Sequence, residues 1–216
     1  MGGIVTGEPN PTLLVLDSVR RERGRLQAPC RTMLWMLLAP AVEADYAEII
    51  ELANWAYRGT GPSASWNMEA GVLEGQRLNE SLIREDLAAR PQGHLLTYRE
   101  QPGGVLLGTA WLDPRADGVW YLGLFMIRPD QQNRQLGRTL LAAAERFAWD
   151  RGARRIRMTV LHVRSTLIAW YERRGYVATG ETEPFPYGDD RFGRPLRDDL
   201  HFLVLEKDID LATFRD

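Results

Sequence analysis

The segment Gln132-Asn133-Arg134-Gln135-Leu136-Gly137-Arg138 sits between an apolar run, Val119 to Ile127, and a stretch of helical periodicity, Leu136 to Trp149. The order reads as a strand, a short polar loop and a helix N-terminus. The first amides of a helix have no acceptor inside it, and the helix dipole adds positive potential, so this junction can hold a pyrophosphate. Arg134 or Arg138 could add a cationic contact. A P-loop would need Gly-x-x-x-x-Gly-Lys-Ser/Thr, and a dinucleotide fold Gly-x-Gly-x-x-Gly with an acid on the following strand. The chain carries neither at this place.

The loop resembles the acyl-CoA-binding signature of the GNAT N-acetyltransferase superfamily, roughly Gln/Arg-x-x-Gly-x-Gly/Ala after an apolar strand and a Val-x-Pro step. Here the step is Ile127-Arg128-Pro129, Gln132 fills the first position and Gly137 the last. Gln135 stands at the middle glycine, and Asn133 where a further glycine is common. A second element of the family, Asn-x-x-Ala-x-x-x-Tyr-Glu-x-x-Gly-Phe, is matched by Arg164, Leu167 and Tyr171-Glu172-Arg173-Arg174-Gly175-Tyr176, with Arg164 in place of the asparagine.

The resemblance implies acetyl-CoA as co-substrate. The main chain of Phe125, Met126 and Ile127 would pair with the pantetheine arm, and the Phe125 amide would polarise the thioester carbonyl. Gln132, Asn133, Arg134, Gln135, Leu136, Gly137 and Arg138 would receive the pyrophosphate, with Arg164 a further cofactor contact. Tyr171 aligns with the tyrosine that protonates the departing thiolate; a phenol of pKa about 10 suits that task. The position where some relatives carry a glutamate base is Tyr121. His162, at the end of the next strand, is the candidate base because imidazole titrates near neutrality. Glu69, Glu183, Tyr187 and a water chain stay open beside it. For the acceptor, the segments Arg58 to Arg77 and Gly180 to Asp199 would bring Trp66, Glu69, Glu183, Phe185 and Tyr187 to the cleft. Aromatics with carboxylates suit a cationic amine, whereas Arg191, Arg194 and Arg197 suit an acidic one.

The elements that must position these groups follow from periodicity and breakers. A strand at Leu34 to Leu38 leads to a helix at Asp45 to Tyr57, with Ile49, Leu52, Ala53 and Ala56 at helical spacing. Asn79 caps a second helix ending before Pro91. His94 to Arg99 and Val105 to Leu112 are strands joined by Pro102 to Gly104. After Val119 to Ile127 comes the helix Leu136 to Trp149, with Leu136, Leu140, Ala143 and Phe147 on one face. A strand Arg155 to Leu161 and a helix capped by Ser165 and stopped by Gly175 follow. Tyr176 to Thr179 and His201 to Leu205 are the last strands, separated by an irregular Gly180 to Asp199. This is the GNAT order. It predicts an α/β (α+β) domain with a mixed, mostly antiparallel sheet of about seven strands and about four helices, and the resemblance adds a splay between the fourth and fifth main strands.

With 216 residues, the chain is long enough for one well-cored domain. We read residues 33–216 as the acetyltransferase domain and residues 1–32 as a loosely packed extension; its basic cluster follows its apolar run, the reverse of a signal peptide. A net charge of −2 argues against nucleic acid. The longest apolar run, Met33 to Val42, contains Pro40 and is too short for a membrane span. One cysteine, Cys30, precludes an internal disulfide and suits a reducing, cytoplasmic setting. No metal is expected. The expectation is direct acetyl transfer to a primary amine of a small molecule. A peptide or protein amine, or a non-catalytic acyl-CoA-binding regulatory domain, are the alternatives, and a homodimer is left open.

Overall fold

The computed structural model describes residues 37–65, 68–69 and 71–214. The expected extension 1–32, the start of the first expected strand and Trp66 lie outside the described residues. Seven strands form the main sheet: β1 (Leu37–Pro40), β3 (His94–Arg99), β4 (Leu106–Pro114), β5 (Val119–Ile127), β6 (Arg155–Leu161), β7 (Val177–Pro184) and β9 (His201–Asp208). Their order is β1-β3-β4-β5-β6-β9-β7, antiparallel throughout except for the parallel pair β5–β6. A second, two-stranded sheet joins β2 (Leu73–Glu74) to β8 (Arg194–Pro195). Among the described residues four α-helices accompany them: α1 (Tyr46–Arg58), α2 (Glu80–Ala89), α3 (Leu136–Trp149) and α4 (Ser165–Glu172). No described helix is long and apolar enough to cross a membrane.

The central strands are covered on both faces. On one side α1 and α2 bury Ile49, Leu52, Trp55 and Ile83 against Leu95, Leu106 and Met126. On the other, α3 and α4 bury Leu136, Leu140, Leu141 and Tyr171 against Leu96, Leu112 and Ile127. Each such large apolar side chain contributes about 1.5–3 kcal/mol by leaving water. Because Met126 and Ile127 point to opposite helix layers, β5 reads as an apolar run rather than an alternation.

Local signals account for most boundaries. The Asn79 side chain accepts from the Leu82 amide at 2.9 Å and starts α2. Gly175, at φ 87, ends the turn after α4. Three expectations are corrected. Ser165 is the first helical residue rather than the cap, a place taken by Arg164 without a side-chain capping bond. The buried face of α3 is Leu136, Leu140, Leu141, Ala144, Glu145 and Ala148, with Phe147 half-buried, because α3 lies over the sheet one step round from the predicted stripe. Glu145 is tolerated there because Lys207 Nζ and the Tyr176 hydroxyl both donate to it. The stretch after Thr179 is not wholly irregular. β7 runs on to Pro184, since a register shift between Ala178 and Thr182 absorbs Gly180, and β8 pairs with β2.

Candidate active site

A strand that loses its partner makes the site. β5 pairs with β6 only at Val119–Arg155, Trp120–Ile156 and Tyr121–Arg157, and beyond Tyr121 no rung joins them. On its other side β5 is bulged: Thr109 faces Met126 and Trp111 faces Gly123, so Ala110 stands opposite both Leu124 and Phe125. Leu124 takes φ 42, in the left-handed region, at about 1–2 kcal/mol for a residue with a Cβ. Two side chains hold the bulge. Thr109 Oγ1 donates to the Leu124 carbonyl and the Tyr57 hydroxyl to the Phe125 carbonyl, each at 3.0 Å.

Three spaces that share parts of their walls follow the gap. The first, about 310 Å³, lies between the end of β5, the start of α3 and one face of α4, where Trp170, Tyr171 and Arg174 line it. The second, about 110 Å³, shares Phe125, Leu167 and Tyr171 with the first. The third, about 710 Å³, shares Arg77, Tyr121, Gly123 and Leu124 with the second. Tyr171 therefore stands where the first space narrows into the second.

The first space is cationic. Pro129–Arg134 forms a 3₁₀ turn, and Gln135, at φ 59 and ψ 10, redirects the chain into α3. This is the position at which the signature has its middle glycine, and the left-handed backbone is the reason a glycine suits it. The amides of Arg138 and Thr139 return to the Gln135 carbonyl. The amides of Leu136 and Gly137 are those that helix geometry leaves without an acceptor in α3. A Cβ at Gly137 would come 3.4 Å from Trp170 and 3.8 Å from Ile127, so the missing side chain keeps a slot open. Arg174 stacks 3.5 Å over Trp170 and donates through Nη1 to its carbonyl, while its Nε is buried without a hydrogen-bond partner. Burial, then the neighbouring charges of Arg173 and Arg138, lowers the proton affinity of Arg174.

At the junction, Tyr171 is 5% exposed and packs between Phe125, Trp170 and Tyr176. Burial is the main cause that raises its pKa well above the usual phenol value; Tyr57 and Tyr121 add to it, and Arg164 and Arg174 oppose it. Tyr57 is pushed up to about 12, again by burial first, with Arg77 lowering and Glu69 raising it. Both phenols stay protonated at neutral pH. Tyr121 lines the second and third spaces, its hydroxyl 3.0 Å from Thr159 Oγ1.

The other predicted residues distribute as follows. Phe125, Met126, Ile127, Gln135, Gly137 and Arg138 line the first space together. Gln132, Asn133 and Arg134 belong to the turn before it, and the side chain of Leu136 is in the core. Arg164 is buried in the second space, not the first, with Nη1 3.6 Å from Glu69. Glu69 is also paired with Arg58. Phe185 is buried and lines the second space, and Glu183 lines the third. His162 and Tyr187 line none of the three. The His162 ring stacks on His201 at 3.9 Å, and the Tyr187 hydroxyl bridges the Arg197 carbonyl and the Leu200 amide.

Sequence reasoning gave no role to Arg174, Tyr57 or Arg77. Arg174 had a signal, since it lies three residues after Tyr171 and so on the same side of the helical turn. Tyr57 had none, and Arg77 had none beyond ending the segment Arg58 to Arg77 expected near the cleft.

Residues 47–176 match the family model described as the acetyltransferase (GNAT) family. No curated protein matches the sequence. Solved structures are similar in fold. A GCN5-related N-acetyltransferase from Kribbella flavida aligns at 19% identity and TM-score 0.56, over 81% of this chain and 98% of that one. A spermidine N-acetyltransferase chimera from Vibrio cholerae aligns at 13% and 0.57, over 81% and 95%. The ribosomal-protein-S18-alanine N-acetyltransferase from Escherichia coli aligns at 15% and 0.55, over 84% and 98%.

Proposed function

The chain belongs to the GNAT acetyltransferase family, and from that premise we propose that it transfers the acetyl group of acetyl-CoA directly to a primary amine of a small molecule. The observation that carries this reading is one buried, protonated tyrosine, Tyr171, shared by a cationic space and a second space whose walls in turn are shared with a third, wider one.

The residues present fit an elongated anion. The buried Arg174 Nε has no partner, Arg138 lies beside it, and the slot at Gly137 opens onto the first amides of α3. In this reading Arg138, Arg174 and the Leu136 and Gly137 amides hold the phosphates. When bound, acetyl-CoA supplies a thioester whose carbonyl carbon bonds to the amine nitrogen as its carbon–sulfur bond breaks. The Phe125 N–H donates to the carbonyl oxygen, where negative charge develops. Thr109 Oγ1, donating to the Leu124 carbonyl, holds the peptide that carries this N–H, and the Tyr57 hydroxyl holds the next one through the Phe125 carbonyl. Tyr171 gives its hydroxyl proton to the sulfur. The burial that raises the phenol also raises the basicity of a thiolate in the same place, so donor and acceptor stay matched. Both carboxylate oxygens of Glu69 face guanidinium groups, and the amine proton passes to water in the third space.

A small acceptor is favoured by the roof over that space. The two acceptor-side segments are tied to each other by β2–β8 and by Arg58 Nη2 to the Phe192 carbonyl, and to α2 by Arg191–Asp86 at 2.5 Å. An open peptide groove would need these ties undone.

Calorimetric titration with acetyl-CoA beside Arg138→Glu tests the reading. We expect micromolar binding, weakened about 100-fold (roughly 2.7 kcal/mol) by the charge reversal, and CoA release with small amines. Equal binding by the variant would remove the phosphates from this loop.

A further inference from the structure

We propose that the acceptor carries a carboxylate as well as its amine, that is, a free amino acid, and that Arg77 reads that carboxylate; this rests on the acetyltransferase reading above. Charges around the third space are almost all matched. Asp86 is paired with Arg191, Glu183 faces Arg157 at 3.7 Å, and Asp189 accepts from the Arg191 main-chain amide. Arg90 and Arg115 both reach Asp113, at 3.3 and 2.7 Å. Among the described residues, Arg77 lines this space with no carboxylate partner.

Arg77 is nevertheless held in place. Its guanidinium lies 5.3 Å from the centre of the Tyr57 ring and 5.5 Å from that of Phe192, and its main-chain amide donates to Asn54 Oδ1 at 2.7 Å. Aromatic faces attract a cation but leave its in-plane N–H donors unused, and those donors match a carboxylate in a two-pronged geometry. A guanidinium steadied by rings loses little side-chain freedom when an anion arrives.

Its position suits recognition close to the chemistry. Tyr57 touches Arg77 through its ring and the Phe125 carbonyl through its hydroxyl. One tyrosine thus separates Arg77 from the backbone expected to hold the thioester. Arg77 also lines the second space, which Tyr171 shares. An acceptor whose carboxylate rests on Arg77 therefore has its amine on the Phe125 side. A polyamine would instead set a second ammonium beside an unmatched guanidinium, a repulsive arrangement that discriminates against it.

The test compares free amino acids with the corresponding amino acid amides and with spermidine, by two measurements. One is CoA release with acetyl-CoA; the other is calorimetric binding of each amine to the protein saturated with CoA. We expect the acids to exceed their amides by about 10-fold or more in kcat/KM, mainly through KM. Arg77→Gln should bring acid and amide to the same value, and Arg77→Lys should retain part of the preference. Equal turnover of acid and amide by the unmodified protein, faster turnover of spermidine, or a preference that survives Arg77→Gln would overturn the carboxylate assignment and leave the acetyltransferase reading standing. Arg77-dependent binding of amino acids without any acetyl-CoA binding or CoA release would do the reverse, keeping the carboxylate site and removing the enzyme.

Discussion

The first and third spaces of the cleft are built in opposite ways. The first space is lined by Arg138 and Arg174 with no carboxylate among the described lining residues, and much of its binding capacity is backbone. In the third, arginines and carboxylates are interleaved and nearly all engaged with one another, on side chains brought from α2, β6, β7 and the segment before β9. Unmatched charge at one end calls for a highly charged ligand of fixed shape. Matched charge at the other leaves discrimination to whichever group is left over. The proposed donor side is therefore a loop and a helix end, whereas the proposed acceptor side is a property of a particular set of side chains.

That contrast breaks most visibly at the junction. Tyr171→Phe removes the proposed proton donor while keeping the ring that packs on Phe125 and Trp170. Turnover should fall by about 100-fold or more, with acetyl-CoA affinity within a few-fold. Steady-state kinetics paired with calorimetry would show it; an equal loss in both quantities would make Tyr171 a binding residue of the first space. Next in size, Arg174→Met keeps the contact with Trp170 but deletes the cation, and should weaken acetyl-CoA by roughly 10-fold, about 1.4 kcal/mol. Unchanged affinity would mean that Arg174 only packs. The smallest effect belongs to Gln135→Gly. Relief of a left-handed backbone outweighs the extra freedom glycine gives the unfolded chain, so stability should rise by about 0.5–1 kcal/mol, near 2 °C in Tm by calorimetric scanning. A fall in Tm would show that the Gln135 side chain, not the backbone alone, secures the turn.

What could be read from the sequence divides along the same line. The loop from Gln132 to Arg138 and the helix carrying Tyr171 were legible because local backbone needs leave a trace in neighbouring residue types. Gln135 kept its left-handed conformation without the glycine. The bulge at Leu124 was not legible, since it comes from the pairing of β4 with β5 and is carried by an ordinary leucine. The Arg58–Glu69–Arg164 cluster was equally hidden, because Arg164 lies far along the chain from the other two and each alone resembles any surface charge. β7 was cut short in the reading because Gly180 looks like a breaker, whereas in the sheet it occupies a bulge.

The three rungs between β5 and β6 also have a mechanical meaning. Among the described residues they are the only strand-to-strand seam between the half-sheet β1-β3-β4-β5 and the half-sheet β6-β9-β7. Below the seam the halves stand apart like the leaves of a clasp, braced by packing and by the tie from Glu145 on α3 to Lys207 on β9. Anything that lies along the free edge of β5 becomes a splice between the leaves. Occupancy of the cleft and rigidity of the whole sheet are then one property, and a bound molecule is for its lifetime a structural member of the protein that holds it.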